Sequence, residues 1–334
     1  MKKVLVTGGL GFIGSHTCVS LFENGYEPIV IDNLSNSLAS VQSGIEILAK
    51  KPVRVFAGDV RDTELLNRIF NSFDIDGVIH FAALKSVNES ILKPLDYFDN
   101  NINGLLNVIK AMESHQVKHL VFSSSCTVYG NPNVVPVTEK SPYQKAESPY
   151  GLSKQMGEQI LASCPFIQTQ CLRYFNPVGA HPSSVLGEQP FGVPGNLVPY
   201  LTQTVAGIRK ELTLFGNDYN TKDGFCVRDF IHVCDLAEAH IAALERSLSN
   251  QSKESIEIFN IGTGKGLSVL ELINAFEKAT GEKVNYTIGP RRSGDIEQVW
   301  ADTQKSEHLL GWKAKRSTEE MMLDSWNWQK KITH

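Results

Sequence analysis

Tyr150 and Lys154 stand four residues apart, with a Ser123-Ser124-Ser125 run upstream of them. On a helix this spacing puts both side chains on one face, one above the other. The chemistry on offer is removal of a proton from an alcohol. Free tyrosine has a pKa of about 10, too high for a base at neutral pH, and a nearby ammonium favours the phenolate. Lys154 is placed to supply that charge. A serine from a neighbouring strand end can orient the same substrate oxygen. Ser125 is assigned that role; Ser123 and Ser124 are assigned to capping the strand or lining a cofactor. Of the nine tyrosines, only Tyr150 has a lysine at this offset. Alone the pair is weak, because lysine is common and a surface contact accounts for it equally well.

The N-terminus changes that weighting. In Thr7-Gly8-Gly9-Leu10-Gly11-Phe12-Ile13-Gly14 the glycines Gly8, Gly11 and Gly14 are spaced G-x-x-G-x-x-G between an apolar run and a helical pattern. That context suits a dinucleotide: a tight turn, close backbone approach to a pyrophosphate, and a helix N-terminus facing the anion. Asp32 follows 21 residues after Gly11, at the end of the next apolar run. There a carboxylate accepts from both ribose hydroxyls and repels a 2′-phosphate, which favours NAD over NADP. Asn33 and Asn36 bring no arginine to reverse the choice. Asp59-Val60 and Phe81-Ala82-Ala83 close two more strands at the same edge. Asp59 is a candidate for the adenine amino group, although an Asp in that position more commonly caps a helix.

These residues require a scaffold of strands alternating with helices. Val4–Val6, Pro28–Ile31, Val53–Ala57, Val78–Ala82, Leu120–Ser123 and Gln170–Tyr174 read as buried strands. Leu65, Leu66, Ile69 and Phe70, and then Ile102, Leu105, Leu106, Ile109 and Met112, repeat at helical spacing. This predicts an α/β fold: a Rossmann-type, doubly wound parallel sheet. Residues 178–230 lose the rhythm; strand-like Ile258–Ile261, helix-like Leu270–Ala279 and a strand at Val284–Ile288 follow, with Ser268 and Glu271 at capping-box spacing. The expected organisation is a nucleotide domain of 1–176 plus about 231–262, and a smaller mixed α/β C-terminal substrate lobe of 177–230 plus about 263–334. A net charge of −4 without a basic block argues against nucleic acid or an anionic membrane as partner. No apolar stretch is long enough to span a bilayer, and Gly8-Gly9 ends the N-terminal apolar run too early for a signal peptide. The six cysteines lack a C-x-x-C pair and the nine histidines lack zinc spacing. This reads as a cytoplasmic protein with scattered thiols and no metal.

Thr7–Gly14, the serine run and the Tyr150/Lys154 pair together resemble the extended short-chain dehydrogenase/reductase family. Longer strings narrow the resemblance. His80-Phe81-Ala82-Ala83-Leu84-Lys85, Ser123 through Gly130, Arg173 through Pro182, and Val227-Arg228-Asp229-Phe230-Ile231-His232-Val233 are similar to the UDP-galactose 4-epimerase family, and the likeness runs from Val4 to about Trp328. It implies bound NAD, with Tyr150 taking the proton of a sugar 4-hydroxyl and a 4-keto sugar that swings over before reduction. It adds Phe12, Ile13, Val60, Lys85, Asn100, Ser123 and Phe175 to the cofactor site. It assigns a UDP-hexose to Lys85, Ser125, Tyr150, Asn176, Asn196, Leu197, Phe215, Arg228, Arg292, Asp295 and Val299. Read without it, Arg228 beside Asp229 and Arg292 near Asp295 are ordinary surface ion pairs. Val299 aligns with a gate position where a small residue goes with turnover of N-acetylated sugars; otherwise it is an apolar filler. Related 4,6-dehydratases carry Asp-Glu where Cys126 and Thr127 stand, so dehydration is not expected. The resemblance also implies a homodimer through Ile102–Met112 and the Tyr150 helix; the bland reading of Ile102–Met112 is burial against its own sheet, and the two are compatible if they use different faces. Two alternatives stay open: an epimerase specific for UDP-GlcNAc or UDP-glucuronate, and a non-catalytic NAD or sugar-nucleotide sensor. An intact Ser125, Tyr150 and Lys154 argues against the sensor.

Overall fold

The apolar run after Lys2-Lys3 becomes a strand with neighbours on both sides. The structure, a computed structural model, describes residues 1–292 and 295–333. In chain order its strands are β1 (Lys3–Thr7), β2 (Glu27–Asp32), β3 (Arg54–Ala57), β4 (Ile75–His80), β5 (His119–Ser125), β6 (Gln168–Tyr174), β7 (Asn176–Val178), β8 (Leu212–Phe215), β9 (Val227–Arg228), β10 (Phe230–His232), β11 (Ile256–Ile261), β12 (Leu267–Ser268), β13 (Tyr286–Gly289) and β14 (Gln298–Val299). Seven of them form a parallel sheet in the order β11-β6-β5-β4-β1-β2-β3. Parallel neighbours need crossovers, and helices supply them on both faces. Val4, Leu5, Val6, Ile29, Val30 and Ile31 accordingly lose all exposure. One apolar cluster packs Val4, Val6, Val30 and Leu172 beneath helices Phe12–Glu23 and Val233–Leu248. The other packs Leu5, Ile29, Val78 and Phe122 beneath helices Thr63–Ser72 and Gly104–Ser114. This is the expected Rossmann-type sheet.

The chain runs from β1 outward to β2 and β3, then returns to β4 on the other side of β1. The crevice at that reversal is where such sheets bind ligands. Two strand ends differ from expectation in ways that matter there. β4 ends at His80, so Phe81 and Ala82 lie in the loop above the sheet, whereas β5 continues through Ser125. The expected strand at Val284–Ile288 begins only at Tyr286.

A third cluster, including Leu201, Leu214, Phe230, Leu272, Phe276, Met322 and Trp326, joins helices Leu197–Val205, Val269–Thr280 and Thr318–Thr333. The first of these lies in the stretch read as irregular; it is short and carries Pro199, so its periodic signal is faint. Ser268 caps the second as expected, its Oγ accepting from Glu271 N at 3.0 Å while Glu271 accepts from Ser268 N at 2.9 Å. Distant segments meet here through small sheets: β7 with β10, β9 between β12 and β14, and β8 with β13. Leu105, Val108, Ile109 and Met112 all turn inward into the second cluster, so the apolar face of that helix covers its own sheet.

Candidate active site

Gly8 holds φ at +68°, and a Cβ there would lie 2.9 Å from Ala82 N; a Cβ on Gly14 would collide with the Gly8 carbonyl oxygen. These two glycines let the loop, the β4 end and the helix close on one another. Gly11 is different. A Cβ there would meet only the Gly8 oxygen, at 3.2 Å, so the remaining space is open for a ligand to reach the backbone. Gly11 caps helix Phe12–Glu23 without a side-chain bond. That leaves the first amides, at Phe12 and Ile13, facing the crevice, as an anion site requires.

Asp32 is buried at the end of β2. Its Oδ2 accepts from Leu10 N at 3.0 Å and its Oδ1 from Leu34 N at 2.9 Å and Ser37 Oγ at 2.8 Å. A carboxylate accepts at about four sites, so Asp32 keeps capacity for a ribose hydroxyl while also tying down the glycine loop, a task the sequence reading did not give it. Asp59 does not cap a helix; Asp62 does, accepting from Leu65 N at 2.9 Å. Arg61 grips Asp59 with two nitrogens at 2.8 and 2.9 Å and holds its carboxyl down at about 2, with Asn33 Nδ2 donating at 2.8 Å. Val60 is buried against Gly104, and Asn36 is exposed. Asn100 lies in a π-helical turn, Asp99–Asn103, and donates to Asn101 Oδ1. Asn101 in turn bonds Leu84 and Ser153 Oγ, fastening the loop after β4 to the Tyr150 helix.

That helix, Pro149–Ala162, starts where its sequence dictates, with Ser148 Oγ accepting from Gly151 N at 3.1 Å and proline in the first turn. Tyr150 is buried, and the Ser125 hydroxyl lies close enough to it to favour its phenolate; that Oγ also accepts from Thr127 N at 3.2 Å. Lys154 is buried beneath it, its Nζ donating to Ser123 O at 2.6 Å and lying 5.8 Å from the Tyr150 ring centroid. The three predicted catalytic side chains therefore meet. Their electrostatics differ from expectation. Lys154 is expected to favour the phenolate; in the chain itself burial dominates and pushes Tyr150 well above its ordinary value, with the neighbouring Ser125 hydroxyl opposing. Burial also lowers Lys154 to about 8, with Glu158 opposing. The other two serines of the run have side-chain partners of their own. The Ser123 hydroxyl pairs with the Tyr174 hydroxyl, and Ser124 donates to Glu158; neither hydroxyl caps the strand.

The residues assigned to a substrate fall into three contact sets. Lys85 Nζ and Asn196 Nδ2 both meet Glu188 Oε1, at 2.9 and 3.1 Å, so one carboxylate spans the loop after β4 and the segment before Leu197. Arg292 pairs with Asp295 at 2.6 Å, and its guanidinium lies 5.6 Å from the ring centroid of Phe215. Val299 sits directly across from Arg228 in the β14–β9 pairing. It shares a buried cluster with Val128, Tyr129 and Phe175, against which Cys126 packs. Arg228 does not pair with Asp229. Arg228 Nη1 donates to Val227 O at 2.9 Å, while Asp229 is fully buried and accepts from Thr263 N, Gly264 N and Ala301 N at 2.8, 3.1 and 3.2 Å. Asn176 N–H donates to Asp229 O at 3.0 Å. Burial raises the Cys126 thiol to about 12, which leaves it protonated and apolar in character. The sequence reading missed Glu158, Arg173 and Glu188. Glu158 had a signal, one turn beyond Lys154 on the same face; Glu188 had none.

A doubly wound parallel sheet with a glycine loop at its switch point, and Ser125, Tyr150 and Lys154 at its carboxyl edge, defines an extended short-chain dehydrogenase/reductase. A family model described as GDP-mannose 4,6 dehydratase matches residues 5–324. The UDP-glucose 4-epimerase of Yersinia pestis is 49% identical over 332 residues, 98% of this chain and 97% of that protein. A solved UDP-glucose 4-epimerase from Stenotrophomonas maltophila, with bound NAD and formylated UDP-arabinopyranose, has a TM-score of 0.96 at 46% identity, covering 100% of this chain and 99% of that one. Another, from Bifidobacterium longum in complex with NAD+ and UDP, has a TM-score of 0.95 at 47% identity, covering 99% of each chain. The chain belongs to the UDP-glucose 4-epimerase family.

Proposed function

We propose that this enzyme interconverts UDP-glucose and UDP-galactose by inverting carbon 4, and that it also accepts their N-acetylated counterparts. The observation that carries the reading is the buried Tyr150 side chain, with Ser125 beside it and Lys154 beneath it, next to the open glycine loop. The loop fits NAD: Gly11 leaves room that a side chain would fill, and Asp32 has an acceptor site to spare. Gly8, Gly11, Phe12, Ile13 and Gly14 would hold the pyrophosphate, Asp32 and Asn33 a ribose, and Asp59, Val60, Phe81, Ala82, Ala83, Asn100 and Phe175 the remainder. The chemistry supplied by bound NAD is that of hydride acceptor and then donor, with a positive ring that favours the Tyr150 phenolate. Tyr150 accepts the proton of the 4-hydroxyl and returns it to the same oxygen. Ser125 orients that oxygen, and Lys154 supplies the positive charge beneath. Arg228 and Arg292 suit a diphosphate, since guanidinium forks match its oxygens, and Asn176, Asn196, Leu197, Phe215 and Asp295 complete the anchor. With the diphosphate held, the 4-keto sugar can turn its other face. Cys126 and Thr127 supply no acid–base pair for eliminating water, which favours epimerisation over dehydration.

On this reading NAD belongs to 1–176 plus about 231–262 and the UDP-sugar to 177–230 plus about 263–334. Six unpaired cysteines suit a reducing cytoplasm, and no described helix is long and apolar enough to cross a membrane. The functional unit is a homodimer built on the Tyr150 helix. The deciding experiment follows conversion of UDP-galactose to UDP-glucose by wild type and by Tyr150→Phe. Loss of a general base lowers turnover by about 10²–10⁴-fold, with NAD still bound. Near-normal turnover in the variant, or none in wild type, would refute the reading.

A further inference from the structure

Glu158 lies one helical turn beyond Lys154 and two beyond Tyr150. Its side chain is 1% exposed, and that of its partner Arg173 on β6 is 2% exposed. The pair is two-pronged: Arg173 Nε donates to Glu158 Oε1 at 2.9 Å and Nη2 to Oε2 at 2.6 Å. Two hydroxyls add to the same carboxylate, Ser124 at Oε1 and Tyr143 at Oε2, the latter at 2.6 Å. The guanidinium lies 4.9 and 5.2 Å from the ring centroids of Tyr129 and Tyr143.

Stability does not account for this pair, because a buried ion pair is often no better for the fold than well-packed apolar groups of similar volume. Its position does. Ser124 is the middle residue of the serine run. The Ser123 carbonyl receives Lys154 Nζ, and the Ser125 side chain at the end of β5 lies beside Tyr150. The carboxylate thus grips the strand end between the two points where that strand touches the reacting groups.

We infer that Glu158 is a positioning residue: through Ser124 it locks the end of β5 to the helix that carries Tyr150 and Lys154, keeping Ser125, Tyr150 and Lys154 in register. The inference rests on the epimerase reading above. The charge of Glu158 has a second effect, on Lys154. The groups facing that ammonium are Tyr150 and Glu158 on its own helix, His80 on β4, the Ser123 carbonyl on β5 and Cys171 on β6. Glu158 is the carboxylate among them and works against the burial that pulls Lys154 down.

Two matched variants test the positioning role. Ser124→Ala and Tyr143→Phe each delete one hydroxyl donor to the carboxylate, but only the first bond reaches β5. Both should lower the melting temperature to a similar extent. Ser124→Ala should lower kcat for UDP-galactose by about 10- to 100-fold, the cost of a small misplacement, with KM within about twofold. Tyr143→Phe should keep kcat within about threefold. In Glu158→Gln the alkaline fall of kcat/KM should move to lower pH, because Lys154 then loses its proton sooner. If Glu158→Gln does not fold, the matched pair decides alone. Equal kcat in the two matched variants, or an unmoved alkaline limb in a folded Glu158→Gln, would overturn the inference. A wild-type protein without conversion would overturn both this and the epimerase reading; an active wild type with a fully active Ser124→Ala would overturn this one alone.

Discussion

Lys154 is retained at a cost to the fold. Burial lowers it from 10.5 to about 8, so between these values the unfolded chain binds the proton that the folded chain has released. The penalty is complete below pH 8, shrinks between 8 and 10.5 and is gone above. At 1.36 kcal/mol per pKa unit it is worth about 3 kcal/mol, offset in part by the bond to the Ser123 carbonyl. Lys154→Met should therefore raise the melting temperature of the cofactor-free protein at pH 7, with the gain fading toward pH 10.5, while turnover collapses. A lower melting temperature than wild type at pH 7 would mean that the lost hydrogen bond outweighs burial. A sensor would have no need of such a buried, destabilising cation. Val299 lies on the proposed substrate side. It is only 3% exposed and packs with Val128, Tyr129 and Phe175, so a larger side chain must displace that cluster or project beyond it, into the space that the proposed reading gives to the sugar. Val299→Tyr should depress conversion of UDP-N-acetylglucosamine far more than that of UDP-glucose, as competing assays would show. Equal loss of both would make Val299 a filler.

At the scale of elements, the glycine loop separates two roles that look alike in sequence. Gly14→Ala drives a Cβ into the Gly8 carbonyl, so helix Phe12–Glu23 must shift; overpacking of this kind costs about 1–3 kcal/mol. Gly11→Ala meets only one protein atom, at 3.2 Å. The expectation is a lower denaturation midpoint for Gly14→Ala, and for Gly11→Ala a near-normal midpoint with weakened NAD retention, read by denaturant titration and by cofactor content after gel filtration. Equal midpoints would remove the distinction. The loop, the sheet and the Tyr150/Lys154 face were legible because each is written locally, in glycine spacing, apolar runs and an i, i+4 pair. What was not legible depends on partners distant in the chain. Asp229 beside Arg228 looks like a surface pair, yet it turns inward to amides from 263–301. Ser124 looks like a cofactor-lining hydroxyl until helix and strand are docked. The sequence supplies the donors and acceptors, and tertiary packing decides who meets whom.

At the scale of the molecule, an exposed apolar surface lies beside the helix that carries Tyr150. Helices Val87–Leu92 and Pro94–Phe98 pack on helix Pro149–Ala162. They present Leu92 at 81% and Leu95 at 78% exposure, with Ile91 and Leu152 exposed nearby. Scattered exposed leucines are ordinary, but a group rimming a functional helix is the pattern of an association surface. A two-fold dimer would place each patch against its own copy, and would brace the Tyr150 helix from outside while Glu158 holds it from within. The double variant Leu92→Asp/Leu95→Asp puts carboxylates into that contact without touching the core. Sedimentation at micromolar concentration should find a dimer for wild type and a monomer for the variant, with the variant's far-ultraviolet circular dichroism unchanged. The monomer should retain the fold but turn over more slowly, because one face of the catalytic helix has lost its support. A wild-type monomer, or a variant that remains dimeric, would rule out this face as the interface.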